Sequence, residues 1–250
     1  MQKFKRLIPI ILLLLLAISA GVNWILFSAA QKYYYDLQNA RFNPLGLNAY
    51  QDEPPAKSDR PRVVFYGDSR AFQWPAPDSD QFEFFNRGIG AQTSNQILLR
   101  YDEHIAPLDP DILIVQMCIN ELKTVPIFPS RRKQILNSCQ NNTEKVIGYA
   151  AESNTTVILT TVFPVGRVPL QRRPFWSADV AKAVDEINAF LAKQASDSDH
   201  VILFDSFGHL ADESGGLDQA YSFDELHLNE AGYAELNEEL IDILDGLIDN

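Results

Sequence analysis

The amino-acid sequence predicts a three-layer α/β/α domain on a mainly parallel five-stranded sheet, preceded by an N-terminal transmembrane helix. Three observations carry that expectation. Five short runs rich in β-branched and aromatic residues recur along the chain after Pro61, and longer segments with apolar residues at helical spacing separate them. Strand and helix in strict alternation close as a parallel sheet with helices on both faces. Finally, one apolar stretch near the N-terminus is long enough to cross a bilayer, which needs about 20 residues.

That stretch is "LIPIILLLLLAISAGVNWILF", and the basic flank "MQKFKR" precedes it. It overruns the apolar region of an ordinary signal peptide, so residues 1–30 read as a retained signal anchor. The positive-inside rule then leaves the basic end in the cytoplasm and the chain after about Gln31 outside, in a periplasmic or extracellular space. Small residues at Ala17 and Ser19, or at Ser28 and Ala30, keep cleavage and secretion open as the alternative. Residues 31–60 combine three tyrosines, which suit a membrane interface, with a Pro-rich end of mixed charge. They read as a stalk, with packing of part of the segment on the domain as an extra helix left open by sequence, and residues 61–250 read as the globular domain.

Within that domain the first strand is Arg62 to Tyr66, followed at once by Gly67, Asp68 and Ser69. The second is Phe82 to Phe85, ending in "FNRGIGAQTS", after which "TSNQILLRYDEHI" has helical period. The third, Ile112 to Met117, ends in "VQMCINEL" and leads to the helical segment "RRKQILNSCQNNTEKVIGYAAE". The fourth, Thr156 to Val162, is followed by the loop "FPVGRVPLQRRPFW" and the helix "ADVAKAVDEINAFLAKQA". The fifth is Val201 to Phe204, and "NEAGYAELNEELIDILDGLI" closes the chain as a helix. The formal charge is −12 overall, and residues 1–35 hold four cations and no acid, so the remainder stands at −16. A domain that acidic does not suit nucleic acid.

In a doubly wound sheet, ligands bind outside the carboxyl ends of the strands. A serine just past the first strand therefore stands on the functional rim, although Gly-Asp-Ser by itself is also an ordinary capped helix start. The other strand ends add "NRGIG", "CINE" and, near the C-terminus, "YSFDELHLNEAGY". With those blocks in this order, the chain from about Pro61 to Asp249 resembles the SGNH (GDSL) hydrolase family. The resemblance implies that family's flavodoxin-like fold, Ser69 as nucleophile, and an oxyanion hole made of the Ser69 amide, the Gly88 amide and the Asn120 side chain. It also implies no metal or organic cofactor.

The residue chemistry agrees. A serine hydroxyl needs a base, and of the four histidines only His227 has a carboxylate three residues earlier. That spacing lets Asp224 orient one ring nitrogen while the other faces Ser69. His209 is the next candidate for the base. Where the family commonly has Gly-x-Asn-Asp, this chain has Cys118, Ile119, Asn120 and Glu121. The amide donor is kept, but Cys118 brings a side chain where glycine allows close backbone approach. Whether Cys118 and Cys139 pair is left open by sequence. Arg167, Arg172 and Arg173 lie in the loop after the fourth strand, where they either grip an anionic or carbohydrate substrate or form a solvated basic loop. Arg70 is expected to order the loop. The expectation is a serine esterase, anchored in the membrane, acting on a small-molecule, lipid or carbohydrate ester. An O-acyltransferase for envelope glycans and a noncatalytic envelope scaffold are the alternatives.

Overall fold

The computed structural model describes residues 2–52 and 55–248 and divides the chain into two units, Met1–Pro44 and Leu45–Asn250. The first unit is one helix, α1 (Gln2–Phe42). From Leu7 to Phe42 it is long and apolar enough to cross a membrane, with a mean hydropathy of 2.5 in its most apolar stretch. Its leucines and isoleucines are exposed along that length.

The stalk expected over residues 31–60 takes a different form. "QKYYYDLQNARF" contains no glycine or proline, so nothing interrupts the helix until Asn43 and Pro44, and a residue before proline disfavours the helical conformation. From Leu45 onward the chain already packs on the second unit. The Leu45 carbonyl accepts from Gln92 Nε2 at 2.8 Å. Tyr50 donates its hydroxyl to the Gly88 carbonyl, meets the His104 ring edge-on at 5.5 Å, and carries the Arg87 guanidinium 4.7 Å above its ring.

In the second unit, β1 (Arg62–Gly67) runs into the short α2 (Ser69–Phe72), then β2 (Glu83–Gly88), α3 (Ser94–Leu99) and α4 (Tyr101–His104) follow. After β3 (Ile112–Gln116) come α5 (Ile119–Leu122) and the long α6 (Arg132–Glu152). Then β4 (Thr156–Thr160) leads to α7 (Asp179–Ser196), and β5 (Val201–Phe204) to α8 (Ser206–Leu210) and α9 (Glu230–Ile248). The strands lie in the order β2-β1-β3-β4-β5 and every pairing is parallel. The second strand runs further than its apolar run suggests, through Asn86 and Arg87 to Gly88. As an edge strand it is only half-buried over most of its length, so polar residues fit there.

Side chains one residue apart on a strand point to opposite faces, and the core divides accordingly. Val64, Tyr66, Leu113, Val115, Val157 and Leu159 pack against α3, α4, α6 and α7 through residues such as Ile97, Tyr101, Val146 and Ile187. Val63, Phe65, Ile112, Ile114 and Ile158 pack on the other face against Trp74 and the α9 leucines 236, 240 and 244. Covered on both faces, β1 and β3 are buried at every residue, which is why they read as unbroken apolar runs. The chain leaves β1 toward β2 on one side and reaches β3 on the other. This order reversal opens the crevice at the carboxyl end of β1, where Ser69 stands.

Candidate active site

The turn after β1 begins with a close approach. A Cβ on Gly67 would lie 1.8 Å from the Gln116 carbonyl oxygen, so only glycine lets β1 end this near β3. Asp68 then donates its amide to that same carbonyl and caps α2, its Oδ1 accepting from the Arg70 amide at 2.9 Å. Burial pushes the Asp68 carboxyl pKa up, against the pull of Arg70. Capping makes Ser69 the first residue of α2, and its half-buried side chain reaches the rim.

Opposite it stands a compact turn from Tyr221 to Asn229. Asp224 Oδ1 accepts the amides of Leu226 and His227, both at 2.8 Å, and the Phe223 amide donates to the His227 carbonyl at 2.9 Å. This folds the imidazole back over its own carboxylate. His227 Nδ1 lies 3.0 and 2.9 Å from the two Asp224 oxygens, and Nε2 lies 2.9 Å from Ser69 Oγ. Burial raises the Asp224 pKa, but the His227 ring and the two amides outweigh it and hold the carboxyl below its ordinary value. The three residues expected to act together are thus brought within hydrogen-bond reach of one another.

Arg70 joins the two turns. Fully buried, it donates from Nε to the Leu226 carbonyl at 2.8 Å and from Nη1 to the Phe163 carbonyl at 3.3 Å, with its guanidinium 5.0 Å from the Phe163 ring centre. Its own carbonyl accepts from the Tyr233 hydroxyl at 2.9 Å. Burial lowers its pKa to about 10. The residue after the serine therefore fixes the residue before the histidine. Arg172, from the loop after β4, pairs with the buried Glu225 of the same turn, and the Gly166 amide donates to the Glu225 carbonyl at 2.9 Å. That arginine braces the histidine turn.

The remaining rim comes from β2 and β3. Gly88 departs from its expected part as an oxyanion donor, because its amide already donates to Asn86 Oδ1 at 2.8 Å. Its lack of a side chain serves packing instead, since a Cβ there would lie 2.2 Å from the Phe72 nitrogen of α2. The loop just beyond it abuts the serine: a Cβ on Gly90 would come 3.9 Å from Ser69 Cβ, and Ala91 turns the backbone with φ +62°. No hydrogen bond from the Gly90, Ala91 or Ser69 amide is made among the described residues. Sequence reading missed Ala91, because nothing in its side chain marks a left-handed residue.

Asn120 sits on α5, buried, donating from Nδ2 to the Gln92 carbonyl at 3.0 Å and accepting on Oδ1 from Lys123 Nζ at 2.6 Å. Sequence reading also missed Lys123, although its place three residues after Asn120 puts it on the same helix face. The next residue, Glu121, is buried and accepts the Ser94 amide at 2.9 Å. Burial raises its pKa to about 7. Cys118 caps α5 at φ +88° and is joined by a disulfide to Cys139 of α6, with 5.6 Å between Cα atoms. Among the described residues, Cys118, Glu121 and Cys139 form the single cluster spaced for a metal ion, and the disulfide removes both thiolates from it.

The other histidines stand apart. His104 is buried beside Arg100, His200 is exposed before β5, and His209 on α8 faces Glu235 and Glu239 of α9. An open groove of about 850 Å³ is lined by Gln73 and Pro75 after α2, by Phe223 and Leu228 of the turn that carries His227, and by Tyr233. A smaller cleft at Lys57, Arg60, Asp111 and Thr156 lies at the opposite, amino ends of the strands.

Known structures share this architecture. A GDSL-like lipase from Bacteroides thetaiotaomicron superposes with a TM-score of 0.63 at 20% identity, covering 84% of this chain and 98% of its own. A catalytic mutant of an acetylxylan esterase from Geobacillus stearothermophilus gives 0.58 at 15% identity, covering 75% and 94%. A lipase from a goat rumen metagenome gives 0.57 at 17% identity, covering 73% and 96%. No curated protein matches the chain. A match to the GDSL-like lipase/acylhydrolase family model extends over residues 61–235 and takes in the turns that carry Ser69 and His227 and the loops after β2 and β3. The chain belongs to the GDSL-like lipase/acylhydrolase family and is an ester hydrolase of that type.

Proposed function

We propose that the protein is a membrane-anchored serine esterase that cleaves acyl or acetyl esters through a Ser69–His227–Asp224 triad and a covalent acyl-enzyme. The observation that carries this reading is the 2.9 Å separation of Ser69 Oγ and His227 Nε2, with Nδ1 of the same ring on Asp224. In this reading His227 takes the Ser69 proton as Oγ attacks the ester carbonyl, and Asp224 supports the imidazolium that forms. The proton passes to the departing alkoxide, leaving an ester of Ser69. Water, deprotonated by the same ring, then attacks that ester and releases the acid and free Ser69.

Negative charge on the carbonyl oxygen calls for fixed donors. The amide of Ser69 and the side chain of Asn120 fill two places. The third, expected at Gly88, falls to the Gly90–Ala91 loop, because the Gly88 amide is engaged by Asn86. The groove lined by Gln73, Pro75, Phe223 and Leu228, between the end of α2 and the histidine turn, offers apolar surface for the substrate.

Anchoring rests on α1, whose apolar stretch exceeds the length a bilayer requires and follows Lys3, Lys5 and Arg6. In this reading the N-terminus lies in the cytoplasm and the catalytic unit outside, as the basic flank before the apolar stretch favours. The Cys118–Cys139 disulfide is consistent with an oxidising space. The test is a fluorophosphonate probe followed by mass spectrometry, with Ser69 as the labelled residue. Ser69→Ala is expected to abolish both labelling and p-nitrophenyl acetate hydrolysis while leaving the thermal transition in place. Undiminished turnover by that variant would exclude the triad.

A further inference from the structure

Asn120 is held at both ends of its amide by groups that admit one orientation only. On Oδ1 stands an ammonium, which can only donate, and at Nδ2 stands the Gln92 carbonyl, which can only accept. Lys123, the residue that caps the C-terminal end of α5, supplies that ammonium, its Nζ 2.6 Å from the amide oxygen. One Nδ2 hydrogen goes to Gln92, and the second meets no protein acceptor among the described residues.

We propose that Lys123 is a positioning residue for ester hydrolysis: its ammonium fixes the Asn120 amide with the nitrogen toward the reacting carbonyl and strengthens that nitrogen as a donor. The inference rests on the reading of Asn120 as an oxyanion donor. A cation on the oxygen of an amide draws electron density from its nitrogen, so the N–H donates more strongly as charge develops on the substrate. The same positive charge, one amide away from the oxyanion, favours the transition state over the neutral ester.

The surroundings make this charge sensitive to pH. Lys123 is half-buried, and desolvation lowers its pKa below the ordinary lysine value. Four charged groups face it. Asp68 from the nucleophile turn and Glu225 from the histidine turn raise the pKa, while Arg172 from the loop after β4 and Arg70 from α2 lower it. The ammonium is therefore lost at a lower pH than that of a solvated lysine.

The test uses the full chain in detergent and p-nitrophenyl acetate. Lys123→Met is expected to lower kcat roughly 10- to 50-fold, less than loss of a donor itself, with KM nearly unchanged. Because Lys123 acts through Asn120, the double variant with Asn120→Ala should be no slower than Asn120→Ala alone. Lys123→Arg should restore most of the rate and carry the alkaline fall in kcat to higher pH, since guanidinium keeps its proton. Full additivity in the double variant, or an alkaline limb unmoved by arginine, would overturn the inference. A wild-type rate in Asn120→Ala would overturn it together with the assignment of that donor. A slow Asn120→Ala beside an unimpaired Lys123→Met would overturn the role of the lysine alone.

Discussion

His227 meets two partners through two ring nitrogens, and removing it differs in kind from removing its carboxylate. His227→Ala deletes the group that faces Ser69 Oγ, so nearly all base-dependent turnover should vanish. Asp224→Asn keeps an oxygen for the Leu226 and His227 amides, so the turn should hold its shape. An amide nitrogen facing Nδ1, however, favours the tautomer with its proton on Nε2, which cannot accept from Ser69. A loss of order 10² to 10⁴ in kcat/KM is expected, the upper figure being the serine-protease precedent. Equal losses in the two variants, measured on folded protein, would contradict this division of labour. That these three residues would meet was legible in the sequence, because the Asp224–His227 spacing is local and the serine follows a strand. Which amide of "NRGIGA" faces the serine was not, since it depends on the Asn86 side chain and on a left-handed Ala91. Lys123 was equally hidden, because a lysine beside a short helix reads as a solvated charge until its partner is known.

At the scale of elements, the site depends on turns that are costly to form. Cys118 adopts φ +88° without being glycine, and it immediately precedes α5, which carries Asn120. Its bond to Cys139 ties this turn to α6 across a sequence separation of 21 residues. The left-handed conformation is thus held by a covalent link from a neighbouring helix, at the position where the resemblance implies a glycine. Cys139→Ala is expected to lower stability by about 3 kcal/mol on chain-entropy grounds. It should also slow turnover, by freeing Cys118 to relax and carry Asn120 with it. Denaturant unfolding and kcat on the same variant check both effects, and a less stable protein with unchanged kcat would separate the disulfide from the site. The strands β1, β3, β4 and β5 were legible as apolar runs because one or both of their faces are covered. The full length of β2 was not, since an edge strand admits the Asn86 and Arg87 that disguise its end.

At the scale of the whole molecule, the catalytic unit begins earlier than its family match. The match starts at residue 61, yet the compact unit starts at Leu45, and the difference is more than a tether. Leu45 bonds Gln92, the residue whose carbonyl accepts from Asn120, and Tyr50 bonds Gly88 at the end of β2. Tyr50 also packs against Arg87 and His104, so the segment covers the side of the rim that carries the Gly90–Ala91 loop. Tyrosines and prolines near a membrane span suggested a stalk because they are equally common in one, and the contacts that decide otherwise lie some forty residues away in sequence. A soluble chain beginning at Leu45 should therefore keep its rate and stability. One beginning at Pro61 loses these hydrogen bonds and the aromatic contacts, with an expected cost of about 2 kcal/mol and a fall in Tm of roughly 4–8 °C. It should also lose activity at temperatures where it remains folded, because Gln92 and the end of β2 are then held from one side only. Tyr50→Phe in the longer chain isolates the hydroxyl and should reproduce part of the Tm shift. Equal Tm and kcat for the two chain starts would show that residues 45–60 rest on the unit without supporting it.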